Sequence, residues 1–200
     1  MAVENVLKGI AAPYFIHDGS SLKTTFKLGF ILRPASIDDL SGILLIYNDA
    51  ILNTTAVYEY QPFTPEYVAA WFSEKTSHQF PVVVAEADGV VAGFATYGTF
   101  RARAAYKYTV EHSVYVHPGF RRLGVGKVLL NAIIEEARSQ GVHVMVGGID
   151  ASNATSIHLH RQAGFTESGI ITEAAYKFGK WLDLAFVQLT LEGPDQPVEG

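Results

Sequence analysis

Two stretches in the first half of the chain carry apolar residues at helical spacing. In the first, Ser36 and Asp39 have the spacing of a capping box, and the apolar positions that accompany it recur every three or four residues: Ile37, Leu40, Leu44, Tyr47 and Ile51. The second begins at Thr64-Pro65-Glu66, because proline suits the first position of a helix. The buried face that we predict for it consists of Tyr67, Trp71 and Phe72.

Strand patterns dominate the middle of the chain. Residues 81–87 and 90–97 flank Asp88-Gly89, a dipeptide typical of tight hairpin turns. Residues 109–116 alternate between two faces, one carrying Thr109, Glu111, Ser113 and Tyr115 and the other Val110, His112, Val114 and Val116. Further strands are predicted over residues 142–149 and 182–191, with another near 169–176.

Two more helices complete the pattern, one near residues 126–140 and one over residues 152–162, which Gly164 ends. The alternation predicts an α/β or α+β domain with a central mixed sheet, since hairpins argue against an all-parallel sheet. We place this domain at residues 30–191. Residues 1–29 form an extension with a short strand near 22–30, and residues 192–200, with Pro194 and Pro197, form a flexible tail.

Composition excludes several classes of function. A chain of 200 residues that is 48% hydrophobic suits one compact domain. The formal charge of −5 argues against nucleic-acid binding, which needs a basic surface. No apolar run approaches the ~18 residues of a membrane span, and a secretory signal is not recognisable. Cysteine is absent, which fits a reducing compartment, so we expect a cytoplasmic protein without nucleic-acid or membrane partners.

The most specific segment is Val114-Tyr-Val-His-Pro-Gly-Phe-Arg-Arg-Leu-Gly-Val-Gly-Lys127. A strand ends there, a glycine-containing turn follows and a helix begins. The first amides of a helix have no internal partner and bind anions, and glycine lets the backbone approach a ligand closely. A Walker loop is excluded because Val125, not lysine, follows Gly124, and a dinucleotide fingerprint is excluded because position 129 is leucine.

These motifs carry a family resemblance. Arg121-x-x-Gly124-x-Gly126 resembles the acyl-coenzyme A signature of the GNAT superfamily of N-acetyltransferases, Q/R-x-x-G-x-G/A. The run from Asn153 through Ser156 and His160 to Gly164-Phe165 resembles that family's second conserved block. Three further segments are similar to the phosphinothricin and methionine sulfoximine acetyltransferase branch: residues 101–106, 109–116 and 176–183.

The resemblance implies a GNAT fold, with a mostly antiparallel sheet splayed around acetyl-coenzyme A and flanked by helices. It implies that backbone amides from Leu123 to Lys127 bind the pyrophosphate, and that the pantetheine arm lies between strands 109–116 and 142–149. The implied coenzyme-binding residues are Val114, Tyr115, Val116, Arg121, Arg122, Leu123, Gly124, Val125, Gly126, Lys127, Asn153 and Ser156. Members of the branch are typically homodimers. No metal is implied, and His158 and His160, two apart on a helix, do not form a metal pair.

Two residues are candidates for catalysis. Glu111 matches the glutamate that acts as general base in the branch; the alternative is a solvated carboxylate or a structural ion pair. His160 stands where many family members carry a tyrosine proposed as general acid; the alternative is a hydrogen-bonded histidine that positions the coenzyme. Asn153 either binds the coenzyme through its amide or caps its helix. We expect His112 and His158 to point away from this site.

Substrate contacts are predicted in two loops. Arg101, Arg103 and Tyr106 supply cationic and phenolic donors for an acidic group, unless they form only a solvated basic loop. Tyr58 lies in a segment that matches the substrate loop of the branch, where related sequences carry Asn-Phe instead of Val57-Tyr58. Tyr115 shares a strand face with Glu111 and contacts either the substrate or the core.

The sequence therefore predicts an enzyme that transfers the acetyl group of acetyl-coenzyme A to the α-amino group of a small amino acid or analogue. Phosphinothricin, methionine sulfoximine and methionine sulfone exemplify the expected acceptors. One alternative keeps the fold and changes the acceptor to another amine, a peptide or an antibiotic. The other alternative is a coenzyme-binding module without catalysis.

Overall fold

The helices begin and end at residues that the sequence marks. A computed structural model describes residues 29–199 and, before them, only the backbone of two short strands. The elements, in chain order, are β1 (Tyr14–Ile16), β2 (Lys23–Thr25), β3 (Ile31–Pro34), α1 (Leu40–Asn53), α2 (Pro65–Ser77), β4 (Val82–Ala87), β5 (Val90–Thr99), β6 (Thr109–Val116), α3 (Val125–Ser139), β7 (Val144–Asp150), α4 (Ala154–Gln162), β8 (Thr166–Lys177) and β9 (Lys180–Thr190).

One sheet contains all of these strands, in the order β1-β2-β3-β4-β5-β6-β7-β9-β8. Neighbouring strands run antiparallel except β6 and β7, which run parallel. The predicted mixed, mostly antiparallel sheet is therefore confirmed. The β4–β5 hairpin turns at Asp88 and Gly89, whose φ angles of 49° and 78° are those that the predicted turn requires.

The parallel pair is short, and its end opens the sheet. Only Thr109–Glu111 of β6 pair with Val144–Val146 of β7. Beyond this point β6 stays paired with β5 as far as Val116, while β7 stays paired with β9 as far as Asp150. The carboxyl-terminal halves of β6 and β7 consequently part, and a gap opens between them.

Apolar side chains of the sheet are buried under helices on both of its faces, around the middle strands. The alternation along β4 sends Val82 and Val84 toward α1 and α2, and Val83 and Ala85 toward α3. On the first face a cluster forms around Ile43, Ile46, Tyr47, Val68 and Phe94. On the second face α3 packs through its predicted apolar residues, which are 0–4% exposed: Leu129, Leu130, Ile133, Ile134 and Ala137.

The predicted capping box before α1 is confirmed, but one predicted core residue is wrong. The Ser36 hydroxyl accepts from the Asp38 amide, and the Asp39 carboxylate accepts from the Ser36 amide at 2.7 Å. Residues 37–39 form a 3₁₀ turn ahead of α1, and its tighter winding shifts the phase of the pattern. Ile37 is therefore 74% exposed, and Ile43 and Ile46 are buried instead.

Helix α2 begins as predicted, although its buried face is shifted by one position. The Thr64 hydroxyl accepts from the Tyr67 amide at 3.2 Å and Pro65 occupies the first helical position. Val68 is 1% exposed, with Trp71 and Phe72 packed beside it, whereas Tyr67 is 50% exposed. Tyr67 stacks on Phe63, with ring centroids 4.1 Å apart, at the edge of the cluster.

Several predicted boundaries move by one to three residues. Strand β7 begins two residues later than predicted, α4 starts after Asn153, and β8 and β9 begin three and two residues earlier. In the predicted strand near 22–30, residues Lys23–Thr25 are a strand, while residues 26–28 lie outside the described part. Among the helices that the structure describes, none has the length and apolar character to cross a bilayer. The extension and tail boundaries stay predictions.

A buried ion pair joins β3 to the start of α1. The Arg33 guanidinium contacts both oxygens of Asp39 at 2.7 Å and also bonds Glu86 at 2.9 Å. Burial alone raises the pKa of Asp39, but the Arg33 and Ser36 hydrogen bonds outweigh it and lower the pKa below its usual value. This contribution to stability is therefore present above the unfolded pKa of an aspartate and is lost as pH falls through the folded pKa.

We expect Arg33→Met to reduce the free energy of unfolding by about 3 kcal/mol, because it leaves a 6%-exposed carboxylate without its partner. Urea unfolding at pH 7 measures this. The matched control is Arg138→Met, which removes the exposed pair with Glu135 and should cost less than about 1 kcal/mol. Equal losses in the two variants would contradict a structural role for the buried pair.

Candidate active site

The turn between β6 and α3 has an unusual backbone. His117 accepts from the Gly119 amide through Nδ1 at 3.1 Å and opens a short 3₁₀ turn, Pro118–Phe120. Arg122 and Gly124 follow with φ angles of 65° and 86°, and Gly124 is the N-cap of α3. Because left-handed backbone is strained for residues with a Cβ, this shape is held by the surrounding turn.

This shape leaves consecutive amides open at the start of α3. Within residues 29–199, no hydrogen bond occupies the amides from Arg122 to Gly126, whereas the Lys127 amide donates to the Gly124 carbonyl at 3.1 Å. Five adjacent donors at a helix N-terminus fit an anionic group such as a pyrophosphate. The Lys127 amide, the last of the predicted series, is thus occupied in this conformation, and the coenzyme contacts of the series stay a prediction.

The two arginines of the turn differ in their surroundings. The Arg121 guanidinium forms an ion pair with Asp49 of α1 and approaches the Val116 carbonyl at 3.4 Å. Arg121 thus fastens the turn to α1 in this conformation rather than extending toward the open amides. Arg122 is exposed at the tip of the turn, beside those amides.

The gap between β6 and β7 is lined on one side by the end of β6. Val114 and Val116 contact the α3 side of the sheet. Tyr115 faces the other side, where its ring centroid lies 5.0 Å from Tyr47 and 5.2 Å from Phe94. Burial raises the pKa of Tyr115. Its ring is therefore part of the aromatic core, which was one of the two roles considered from the sequence.

Helix α4 borders the gap from the other side. The Asn153 side chain accepts from the Ser156 amide at 3.0 Å, so Asn153 caps the helix. An alanine Cβ placed at Gly126 would lie 3.5 Å from Leu159 and 3.6 Å from Val116. The first turn of α3 therefore lies against both α4 and the end of β6.

His160 projects from α4 into a closed environment and is 5% exposed. Its Nδ1 donates to the Ser156 carbonyl at 2.7 Å and lies 3.5 Å from the Ser156 hydroxyl. Its Nε2 lies 2.9 Å from Nε2 of His112, another buried residue. The expectation that His112 points away is wrong: strand alternation turns it from Glu111, and that same alternation turns it toward α4.

Glu111 stands at the last pair of the parallel ladder, where β6 and β7 begin to part. It lies on the opposite face of the sheet from His112, and an added Cβ on Gly148 of β7 would be 3.4 Å from its Oε1. Partial burial raises the pKa of Glu111, while the charge of Arg101 opposes this rise. The carboxylate is thus accessible at the point where the gap begins, and within residues 29–199 it forms no ion pair.

The predicted acceptor loop follows β5. Arg101, Arg103 and Tyr106 are all exposed, and the Arg101 guanidinium lies 5.1 Å from the Phe100 ring. Of the three, Arg101 borders a pocket on the Glu111 face of the sheet, with a volume of about 310 Å³. We call it the Arg101 pocket; its other lining residues are Phe100, Val146, Ser168, Gly169, Ile170, Ile171, Phe186 and Gln188.

A second pocket of about 380 Å³ contains Glu111 itself and extends toward α2. Lys75 lines it and donates to the Tyr97 carbonyl at 2.8 Å. Burial lowers the pKa of Lys75. That carbonyl lies one residue beyond the last β4–β5 pair, Val82–Thr96, so the lysine ties α2 to the end of β5 that pairs with β6 alone.

The segment that carries Tyr58 is held by a lysine from residues 176–183, one of the segments that resemble the branch. Lys177 of β8 is 4% exposed, and its ammonium donates to the carbonyls of Thr54 at 3.0 Å and Val57 at 2.6 Å. Burial lowers the pKa of Lys177. Tyr60 adds a bond from its hydroxyl to the Tyr176 carbonyl at 2.7 Å. Burial raises the pKa of Tyr58, which lies near Asp150 and Asp183.

Comparisons with known proteins now identify the family. The profile of the Acetyltransferase (GNAT) family matches residues 45–165. The chain belongs to the GNAT acetyltransferase family. It is 48% identical to the L-methionine sulfoximine/L-methionine sulfone acetyltransferase of Pseudomonas paraeruginosa over 162 residues, which cover 80% of this chain and 94% of that protein.

Two further proteins that resemble this GNAT enzyme support the family assignment. The phosphinothricin N-acetyltransferase of Streptomyces viridochromogenes is 36% identical over 83% of this chain and 90% of its own. A crystal structure of a GNAT superfamily phosphinothricin acetyltransferase from Sinorhizobium meliloti, in complex with acetyl-coenzyme A, superposes with a TM-score of 0.82 at 38% identity. That match covers 86% of this chain and 95% of the other.

The structure of this GNAT domain brings most predicted residues to one region and separates others. The open amides, the end of β6 and the start of α4 border one gap, which begins at Glu111. Arg103 and Tyr106 lie on the exposed loop, outside the two pockets described above. Sequence reasoning did not predict the contacts of Lys177, His112 and Asp49, because their partners lie 34 to 123 residues away along the chain and no local pattern marks such contacts.

We expect Gly124→Val to abolish binding of acetyl-coenzyme A, because valine disfavours the φ angle of 86° and its side chain crowds the open amides. Isothermal titration calorimetry measures this. Gly141→Val is the matched control, since Gly141 has a φ of 70° and open space around it, away from the turn. If both variants fold and bind the coenzyme equally, the turn is not the binding site.

Proposed function

We propose that this enzyme transfers the acetyl group of acetyl-coenzyme A to the α-amino group of a small amino acid or analogue. The acceptors that we propose are of the phosphinothricin, methionine sulfoximine or methionine sulfone type, which the relatives' names support. The observation that carries the proposal is the position of Glu111: an accessible carboxylate where the gap begins, with open amides beyond the far end of β6 and Arg101 nearby.

The amides from Arg122 to Gly126 are the proposed pyrophosphate site, with Arg122 as an additional charge. The coenzyme, when bound, supplies the acetyl thioester. Beyond Glu111, β6 has no β7 partner, so its edge from Ser113 to Val116 faces the gap. Backbone donors on that edge are suited to stabilise the oxyanion that develops on the thioester carbonyl. Asn153 and Ser156 border the same gap from α4.

Glu111 is the proposed general base. An amino acid is mostly an ammonium ion near neutral pH, and its nitrogen attacks a carbonyl only after losing a proton. Glu111 accepts that proton, directly or through water, in its ionised form. Because burial raises its pKa, the fraction of active enzyme rises as pH increases through that raised value. His160 is the proposed source of the proton for the departing thiolate.

The acceptor is placed by charge and by shape. Arg101 offers a planar fork for a carboxylate or phosphinate, and Phe100, Ile170 and Phe186 offer apolar walls for the acceptor's side chain. Tyr58, whose loop is held by Lys177, is proposed to form the wall of the acceptor site on the α1–α2 side. Arg103 and Tyr106 are proposed to approach the acceptor from the loop that follows β5. This arrangement favours a small zwitterion with a short apolar side chain.

A panel of amines tests the proposal. The protein is incubated with acetyl-coenzyme A and amino acids, methionine sulfone, methionine sulfoximine, phosphinothricin, polyamines, peptides and aminoglycosides, and free thiol is followed. We expect release with the amino acid analogues. Release only with other amines, peptides or aminoglycosides would move the function to another acceptor. Coenzyme binding without release with any amine would indicate a non-catalytic module.

We expect Glu111→Gln to lower kcat at least about 100-fold, which is the lower range for the loss of a general base. Coenzyme affinity should persist, and the limb of the pH profile that reports Glu111 should disappear. Steady-state kinetics from pH 5 to 9 measures both. Glu74→Gln, in the pocket that contains Glu111 but on α2, is the control and should keep the wild-type profile. A normal rate for Glu111→Gln across pH would remove Glu111 as the base.

We also propose that the protein is a homodimer that associates through β8 and β9. Strand β8 is the edge of the sheet, and its residues are exposed along nearly its whole length. Large apolar side chains on this hairpin are 47–59% exposed: Ile170, Ile171, Tyr176, Phe178 and Trp181. An exposed apolar edge strand supports pairing with another chain. The absence of cysteine supports a cytoplasmic location.

We expect Trp181→Glu to convert the dimer to a monomer, because it places a charge in the proposed apolar contact. Sedimentation equilibrium measures the molar mass. Leu45→Glu, which changes a 52%-exposed leucine on α1, is the control and should stay dimeric. A wild-type protein that sediments as a monomer at micromolar concentration would contradict the proposed assembly.

A further inference from the structure

Two buried histidines from distant parts of the chain approach each other through their Nε2 atoms on the α4 side of the sheet. His112 of β6 and His160 of α4 are each 5% exposed, and their Nε2 atoms lie 2.9 Å apart. The ring of Phe165 covers both, with centroids 5.1 Å from each imidazole. We call these two residues the histidine pair.

The outer nitrogen of each ring has a fixed role. Nδ1 of His112 lies 2.8 Å from the Val146 carbonyl, and Nδ1 of His160 lies 2.7 Å from the Ser156 carbonyl. A carbonyl oxygen only accepts hydrogen bonds, so each Nδ1 must carry a proton. In a neutral imidazole the other nitrogen is then a bare acceptor. Two neutral rings in these positions would point two lone pairs at each other across 2.9 Å.

We propose that the histidine pair holds one additional proton, shared between the two Nε2 atoms, so that two rings carry three N–H protons and a single positive charge. The Nε2–H···Nε2 hydrogen bond then accounts for the short distance, and every ring nitrogen has a partner. A hydrogen bond of this kind is strengthened in a site closed to water. His112 is thereby assigned a function, as the positioning residue that sets the protonation of His160.

The surroundings limit the pair to one charge. Burial lowers the pKa of both imidazoles, and the charge of His160 lowers that of His112 further, to about 3. These shifts exclude a fourth proton at neutral pH, and they also oppose the third. Within residues 29–199, the hydrogen-bond partners of the pair outside the pair itself are the Val146 and Ser156 carbonyls and the Ser156 hydroxyl, and the Phe165 ring packs on both imidazoles; none of these groups titrates near neutral pH. The Nε2–H···Nε2 hydrogen bond is the interaction that holds the shared proton against the effect of burial.

The proposal bears on acetyl transfer, and this step rests on the proposed function. Nδ1 of His160 is held by Ser156, so a proton that His160 gives to a ligand leaves from Nε2, the atom that His112 contacts. When the shared proton passes to the departing thiolate, an N–H bond breaks, an S–H bond forms and the pair becomes neutral. The ammonium gives one proton to Glu111 before the attack, and the attacking nitrogen loses a second proton to water as the amide forms, so protons and charges balance. The neutral rings then repel and separate until a proton returns.

Gly147 of β7 makes the arrangement sterically possible. A Cβ on Gly147 would lie 2.7 Å from Cε1 of His112 and 3.2 Å from Val187. Glycine at this position therefore lets the imidazole lie flat against β7 and reach the Val146 carbonyl. Gly147→Ala keeps both histidines and displaces the His112 ring, which provides a geometric test separate from the removal of either imidazole.

Nitrogen-15 NMR of the histidine side chains in the full-length protein, without coenzyme, tests the proton count directly. Between pH 6 and 8 we expect three N–H protons on the two rings, with one strongly deshielded proton coupled to Nε2. Two neutral rings, each protonated at one nitrogen across this range, would overturn the proposal. Gly147→Ala should lose the deshielded signal, while His158→Asn, which changes an exposed histidine on α4, should keep it.

Variants of His112 separate this inference from the proposed function. In His112→Phe and His112→Asn we expect the deshielded proton to disappear and the His160 Nε2 to become unprotonated at pH 7. Where these variants stay folded, kcat should fall about tenfold or more and its pH dependence should change, with KM for acetyl-coenzyme A unchanged. If the NMR signal is lost while the kinetics stay normal, the shared proton exists but takes no part in acetyl transfer. If the signal is unchanged in these variants, both the shared proton and its part in acetyl transfer are rejected.

Discussion

The parting of β6 and β7 after a three-residue parallel ladder is the constraint on which the site depends. Parallel strands that stay paired would satisfy each other's backbone groups and leave no room for a ligand. Here the ladder stops at Glu111 and Val146, and the Val146 carbonyl bonds to the His112 side chain. Glu111, the histidine pair and the gap between the strands therefore all originate at the same point of the sheet.

The two faces of β6 separate the two proposed proton-transfer groups. Glu111 lies on the face that meets the pockets proposed for the acceptor, and burial raises its pKa although the charge of Arg101 opposes this rise. His112 lies on the face that meets α4, sealed by Phe165. Adjacent residues of a strand point to opposite sides of the sheet. Glu111, the proposed proton acceptor, and the histidine pair, the proposed proton donor, can therefore act on one reaction without exchanging protons with each other.

Local sequence signals predicted the elements well, and tertiary contacts explain the rest. The capping box at Ser36, the proline at residue 65 and the turn at Asp88-Gly89 each depend on neighbouring residues, and each is confirmed. Ile37 and Tyr67 were assigned to the core by periodicity alone, and a 3₁₀ turn and a one-position phase shift expose them. Strand alternation separated His112 from Glu111 but could not show that α4 returns to cover the opposite face.

Lys177 links the β8–β9 hairpin to the loop that carries Tyr58. Its ammonium joins the hairpin to the carbonyls of Thr54 and Val57, so the backbone beside Tyr58 moves with that hairpin. Selection for a new acceptor can therefore act on residues that never touch it, by tilting the hairpin and carrying the loop along. Substitutions that broaden acceptor range should therefore also accumulate at hairpin positions outside the Arg101 pocket.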